Sequence, residues 1–259
     1  MITDALLQEL GNNRQEPEVK SLAAELRRRN IPFRFFLEKQ LQRGQLQLQP
    51  TTLVAGHIPV VMSALRQIGV NPPPPDDYPT SLRPWLHRRT WTSTVKDVVH
   101  QLQEGVSTPF FAKPLGRFKR FRGHIFSSWD DLRALGGASD NTELACSEEV
   151  HWKTEHRIYV VEGGIVGIRH YLGDSNISPD HKQVDQAVST FESSGEAPAG
   201  YGIDFGVLEN GQTALVEVND GYSLGSYGLE DHHYANLIIA RWHQLMEPLS
   251  RPKRAGEVS

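Results

Sequence analysis

The chain has 259 residues, of which 38% are hydrophobic and 22% charged, a balance that excludes collagen-like and disordered classes and allows a core without disulfide staples. With 27 basic against 31 acidic side chains the net charge is −4, so nothing draws the whole molecule to nucleic acid or anionic membrane, and any basic site must be local. Cys146 is the single cysteine, which excludes an intrachain disulfide and fits a reducing, cytoplasmic setting, and no apolar run approaches the roughly 20 residues of a membrane-spanning helix.

Met1 to Asn13 alternates apolar and polar residues at helical spacing and lacks the basic start and apolar stretch of a secretory signal. From Glu16 to Asn30 the residues Val19, Leu22, Ala23 and Leu26 recur at helical spacing, and Ile31 to Leu37 reads as a strand. A second strand, Thr51 to Ala55, runs through Gly56 and His57 into a helix from Ile58 to Gly69, the order of a parallel-sheet module. Residues 1–75 are therefore expected to form a small Rossmann-like lobe. Pro72 to Pro75 close it, because four consecutive residues without a backbone donor follow an extended path.

A polar helix from Ser93 to Gln103 leads into strands and turns between Thr108 and Val218, giving an α+β (α/β) protein whose second part spans 76–249. The last helix, Asp231 to Met246, carries Tyr234, Leu237, Ile238, Arg241, Trp242 and Leu245 along one stripe. Residues 250–259 form a polar tail expected to be disordered.

Two β-rich runs, Gly202 to Leu208 and Gln212 to Asn219, flank Asn210-Gly211, a dipeptide that favours a two-residue type I′ hairpin. That turn sets Asp204 against Glu217 and Gly202 against Asn219. It also puts Leu215, Glu217 and Asn219 on one face and Ala214, Val216 and Val218 on the other. Directly opposed carboxylates repel across ~5 Å unless something neutralises them. A cation held by oxygen ligands, Mg²⁺ by type, is one remedy, and a hairpin whose acidic positions simply face solvent is the other; spacing leaves both open. Gly163-Gly164 reads as a further two-residue turn that places Arg157 opposite His170 and Arg169 on the other face, an assignment a β-bulge would reverse.

Other features carry less. Phe118 and Phe121 interleave with Arg117, Lys119, Arg120 and Arg122 as in single-strand stacking platforms, but the acidic remainder opposes polyanion binding, and nucleic acid is not an expected partner. His151 and His232-His233 have no third ligand at metal spacing, Ser223 and Ser226 have no base beside them, and Cys146 fits a small core residue. Lys113 alone could be an edge-strand gatekeeper.

Four segments in order, Phe110-Phe111-Ala112-Lys113-Pro114, Glu155-His156-Arg157-Ile158-Tyr159-Val160, Gly202-Ile203-Asp204-Phe205 and Val216-Glu217-Val218-Asn219, resemble the ATP-grasp family. Lys113-Pro114 with Lys119-Arg120-Phe121-Arg122-Gly123, and Glu217-Val218-Asn219-Asp220-Gly221 with Ser226-Tyr227-Gly228-Leu229, are similar to the clade of that family named for one arginine and two lysines. The resemblance runs from about Gly56 to the last helix.

It implies ATP held between two α+β subdomains, with the N-terminal lobe helping to form the acceptor site. Lys113 and Lys119 would contact phosphates, the backbone of Glu148, Glu149 and Val150 would meet the adenine, and Glu155 would join the nucleotide contacts. Asp204, Glu217 and Asn219 would hold Mg²⁺. Arg157, with Lys119 and, second in rank, Arg169, would stabilise the transferred phosphoryl group. The implied reaction is ATP-dependent ligation of a small-molecule or peptide carboxylate to an amine through an acyl phosphate. A kinase-like phosphotransferase and a non-catalytic nucleotide or RNA-binding module are the alternatives. Leu115 to Gly123 departs from the glycine-rich phosphate loop of many members in being basic and aromatic, so side-chain cations are expected to replace some backbone donors. Nothing in the sequence speaks to oligomeric state.

Overall fold

The N-terminal stretch whose spacing reads as helical is a strand, β1 (Asp4–Glu9), and it is the middle strand of a parallel sheet. Ala5, Leu6 and Leu7 are all buried, as happens where a central strand is covered on both faces and alternation disappears. The structure, a computed structural model, describes residues 1–106, 108–115, 121 and 123–250. Around β1 the sheet adds β2 (Phe33–Leu37) and β3 (Thr52–Ala55) in the order β2-β1-β3. Helix α1 (Pro17–Arg28) starts with proline at its first turn, where the missing donor costs nothing, and α2 (Glu38–Gln42) is a single short turn. Helix α3 (Ile58–Ile68) stops at Gly69, whose φ of 95° suits only glycine.

After the prolines and a 3₁₀ turn at Thr80–Trp85 comes a four-stranded antiparallel sheet, order β4-β7-β5-β6. Its strands are β4 (Thr90–Thr94), β5 (Phe110–Pro114), β6 (His124–Phe126) and β7 (Glu143–Glu148). Helix α4 (Val95–Glu104) begins two residues later than its polar pattern indicates, because Thr94 closes β4 and accepts a hydrogen bond from the Asp97 amide as the helix cap. Val95, Val98 and Leu102 pack it on the sheet.

A second antiparallel sheet, order β11-β10-β8-β9, is built from β8 (Trp152–Val161), β9 (Gly164–Gly173), β10 (Gly200–Leu208) and β11 (Thr213–Asp220). Helix α5 (His181–Ser194) covers one face through Val184, Ala187, Val188 and Phe191, against Ile158, Val160, Ile203 and Phe205. The residues that alternate with these point to the opposite face. Helix α6 (Asp231–Ser250) returns to the N-terminal sheet, where Leu237, Ile238 and Trp242 share a core with Leu22 and Leu26 of α1. Among the described residues no helix is long and apolar enough to cross a membrane.

Bulges decide the register of the second sheet. The hairpin at Asn210-Gly211 has three loop residues rather than two: the Leu208 amide donates to Gln212, the Gly211 amide donates to Leu208, and Gly211 alone takes positive φ. Near the turn Phe205 therefore faces Leu215, and a bulge that leaves out Val216 restores Asp204 to Glu217 and Gly202 to Asn219. The expected pairing of the carboxylates stands, while Leu215 lies in the core with Phe205 instead of beside Glu217. In the β8–β9 hairpin the turn is Glu162-Gly163, both at positive φ, rather than Gly163-Gly164. Val161 pairs with Gly164, and a bulge at Val166 then sets Arg157 against Arg169, not His170. The two arginines are thus cross-strand neighbours on one face.

Candidate active site

Across the open face of the second sheet runs one row of paired residues, Glu217 on β11, Asp204 on β10, Arg157 on β8 and Arg169 on β9. Arg157 grips Asp204 at two points, Nε to Oδ1 at 2.8 Å and Nη2 to Oδ2 at 2.7 Å. The Asn219 amide donates to Asp204 Oδ2 at 3.2 Å, and the Tyr171 hydroxyl donates to Glu155 at 2.6 Å and lies 3.4 Å from the same Asp204 oxygen. Tyr171 and Tyr227 stack with centroids 5.0 Å apart beside the Arg157 guanidinium. Burial pushes the Asp204 carboxyl above the usual range while Arg157 draws it back, and burial likewise raises Glu155 against its tyrosine bond. Arg169 is committed elsewhere: its Nη2 donates to both oxygens of Glu230 at 2.7 Å, and its Nε donates to the Gly228 carbonyl.

The first sheet answers with Lys113 on β5. Its ammonium contacts Glu217 at 2.5 Å and Asp77, from the segment after the prolines, at 2.7 Å. Burial alone would depress this lysine, but Glu217, with Tyr78 and Asp77, holds it above its ordinary value, so it stays cationic. Arg88, just before β4, donates to the Leu215 and Val216 carbonyls at 2.6 and 2.9 Å, at the point where the bulge interrupts the register.

Between the sheets lies a cavity of about 830 Å³. Lys113, Glu148, Glu149, Val150, Glu155, Arg157, Asp204, Glu217 and Asn219 all line it. Glu148 ends β7, so residues 148–150 are the crossing from one sheet to the other. Arg169 is not in the wall, and Lys119, with Arg117, Arg120 and Arg122, lies outside the described residues, as does the tail from 251. Sequence reading missed Asp77, Arg88, Tyr171 and Tyr227. Tyr227 stood within the motif Ser226-Tyr227-Gly228-Leu229 without a role, and Tyr171 lay two residues beyond Arg169 on one strand; Tyr171 is the extra residue of another bulge and, like Val216, is turned into the cleft.

The loop after β11 forms the far wall and separates this cleft from a second cavity of about 610 Å³ against the N-terminal sheet. Four side chains pin it. The Ser223 hydroxyl donates to the Gly56 carbonyl, the Ser226 amide and hydroxyl to Glu18, the Tyr159 hydroxyl to Gly225 and the Tyr234 hydroxyl to Leu224.

Among the described residues no three of His, Cys, Asp and Glu converge as a metal cluster. The oxygen set is two carboxylates and one carboxamide. Asp204 and Glu217 are directly paired, Asn219 touches Asp204, and the two carboxylates are now neutralised by Arg157 and Lys113. These residues fit a hard divalent cation, provided Arg157 and Lys113 exchange their carboxylates for other anions. Cys146 is no rival nucleophile, since burial pushes its thiol up to about 12.

A family model described as an ATP-grasp domain, the second family of the clade named for one arginine and two lysines, matches residues 85–237. Among solved structures, a D-cycloserine synthetase shares 10% identity at a TM-score of 0.61, over 93% of this chain and 99% of that one. A D-alanine-D-alanine ligase from Bacillus anthracis shares 15% at 0.58, over 96% and 99%, and has also been solved with ATP. A RimK domain ATP-grasp protein from Sphaerobacter thermophilus shares 13% at 0.57, over 90% and 98%. Likeness at these identities shows a common fold, the ATP-grasp fold. No curated protein matches the sequence.

Proposed function

The chain belongs to the ATP-grasp family, in the clade named for one arginine and two lysines, and from that premise we propose that it is an ATP-dependent ligase joining a carboxylate to an amine. In the proposed reaction a substrate carboxylate oxygen attacks the γ-phosphorus of ATP, ADP leaves, and an acyl phosphate forms. The amine nitrogen then attacks the acyl carbon, inorganic phosphate leaves, and the nitrogen loses its proton as the amide forms.

The observation that carries this reading is the paired row Glu217, Asp204 and Arg157 meeting Lys113 across the cleft, because every charge there is neutralised internally and each has a counterpart in a magnesium nucleotide. Lys113 and Lys119 take the phosphates, the 148–150 crossing takes the adenine, and Glu155 serves the nucleotide. Arg157 takes the transferred phosphoryl group, with Arg169 second to it. Asp204, Glu217 and Asn219 would hold Mg²⁺, which when bound supplies charge neutralisation at the phosphates. Tyr171 and Tyr227 shield the Arg157 end from water.

Hydroxylamine trapping tests the reading, with ADP release measured over a panel of carboxylates and amines. An acyl hydroxamate is expected with the wild-type chain and none with Glu217→Ala. A stable phospho-product without hydroxamate would make the protein a phosphotransferase, and nucleotide binding without ADP release would make it a binding module.

A further inference from the structure

The two cavities on either side of the pinned loop differ in the charged groups they present. The cleft between the sheets holds three cations, Lys113, Arg88 and Arg157, among the carboxylates Glu148, Glu149, Glu155, Asp204 and Glu217. The cavity of about 610 Å³ on the other side is lined by Glu16, Glu18 and His57, whose Nε2 lies 3.5 Å from Glu16, with no lysine or arginine among its described lining residues. Ile58, Ser223, Leu224 and Gly225 belong to both walls, so the cavities meet at this loop. Glu18 sits at the junction, because one of its oxygens holds Ser226 next to Gly225. A Cβ on Gly225 would lie 3.8 Å from Arg157 Nη1, which brings the acidic and cationic ends close together.

Apart from Gln8 and Ser223, the rest of the second cavity is largely apolar. Val19 and Leu22 come from α1, Tyr234 and Ile238 from α6, and the floor is the carboxyl end of the parallel sheet at Ala55 and Gly56, the usual place for a small ligand in such sheets. The N-termini of α1 and α3 also open here and would favour an anion. Glu16, as the α1 cap, and Glu18, in its first turn, already supply the negative charge that α1 attracts. A carboxylate entering this space meets two like charges and no lysine or arginine, whereas an ammonium meets two carboxylates and a greasy wall.

We propose that this second cavity binds the amine substrate, a primary ammonium carried on a bulky apolar body, with Glu16 and Glu18 as its counter-ions, and that the carboxylate to be activated enters only on the Arg157 side of the loop. The role as acceptor site rests on the ligase reading above; the charge preference of the cavity does not. An aliphatic or aromatic amine fits, and dicarboxylates and highly polar amines do not.

Calorimetric titration of the full chain without nucleotide tests it, using phenethylamine, phenethyl alcohol and hydrocinnamate, which share one apolar body. Phenethylamine is expected to bind about tenfold tighter than the alcohol at low salt, with hydrocinnamate weakest. Glu18→Gln should erase most of the amine's advantage and leave the alcohol unchanged, and Leu10→Trp, at an exposed wall position, should weaken all three. If Glu18→Gln fails to fold, Glu16→Gln gives the same comparison at the α1 cap. Hydrocinnamate binding as tightly as the amine, or an amine advantage that survives both glutamine variants, would overturn the proposal. Absence of hydroxamate in the trapping experiment with this binding order intact would overturn the ligase reading alone.

Discussion

Arg157 and Asp204 are paired across adjacent strands by two hydrogen bonds of 2.8 and 2.7 Å, with Asp204 only 1% exposed. Removing one charge of such a pair strands the other away from water. Asp204→Asn is expected to cost about 3–5 kcal/mol in denaturant unfolding, and Arg157→Met with Asp204→Leu together should recover most of that loss while leaving no turnover. A double variant less stable than Asp204→Asn would show that the pair is not the source of the cost.

Asp77 holds the Lys113 ammonium at 2.7 Å, and under the proposed function it competes there with nucleotide phosphate. Asp77→Asn keeps the backbone carbonyl that accepts from the Val218 amide and removes only the carboxylate charge. ATP affinity should rise about three- to tenfold, the equivalent of ~1 kcal/mol for a partly exposed ion pair. Weaker ATP binding in this variant would mean that Asp77 orients the lysine instead of restraining it.

Burial, with His170 and His181 nearby, holds the His156 imidazole below its ordinary value of 6.5. The unfolded chain then takes up a proton that the folded chain refuses, so stability falls as pH drops through that value. His156→Gln should lose less thermal midpoint than wild type between about pH 7 and pH 5. Equal slopes in the two proteins would count against the assignment.

Gly202 lies against Arg157. A Cβ there would meet Leu224 at 2.9 Å and Arg157 Cδ at 3.2 Å. Gly202→Ala should cost about 1–3 kcal/mol of stability and displace the guanidinium. The expected signature is a kcat for ADP release reduced more than ATP affinity; an unchanged kcat would separate Arg157 from the chemistry.

The hairpin that carries Asp204 and Glu217 was legible in sequence for a partly accidental reason. The loop is one residue longer than Asn210-Gly211 indicates, and the bulge at Val216 compensates, so the pairing at the site agrees while the pairing at the turn does not. Compensation is incomplete at Arg157, where the turn lies one residue earlier and moves the register by two, while the bulge at Val166 restores only one, so that Arg169 takes the place of His170. Bulges leave no periodic signature, since each depends on what the extra residue meets in space. The same holds for Asp77 and Arg88, whose partners are distant in the chain. The strand β1 was misread because burial on both faces erases the alternation that marks a strand.

Arg88 has a mechanical consequence. It precedes the first strand of one sheet and holds two carbonyls at the irregular point of the other, so the walls of the cleft are joined there by a pair of directional bonds. Any rocking of one sheet against the other must turn about that joint or tear it. Hydrogen exchange of the amides around Leu86 and Val216 should therefore stay slow when ligand closes the cleft, while amides at the far rim change.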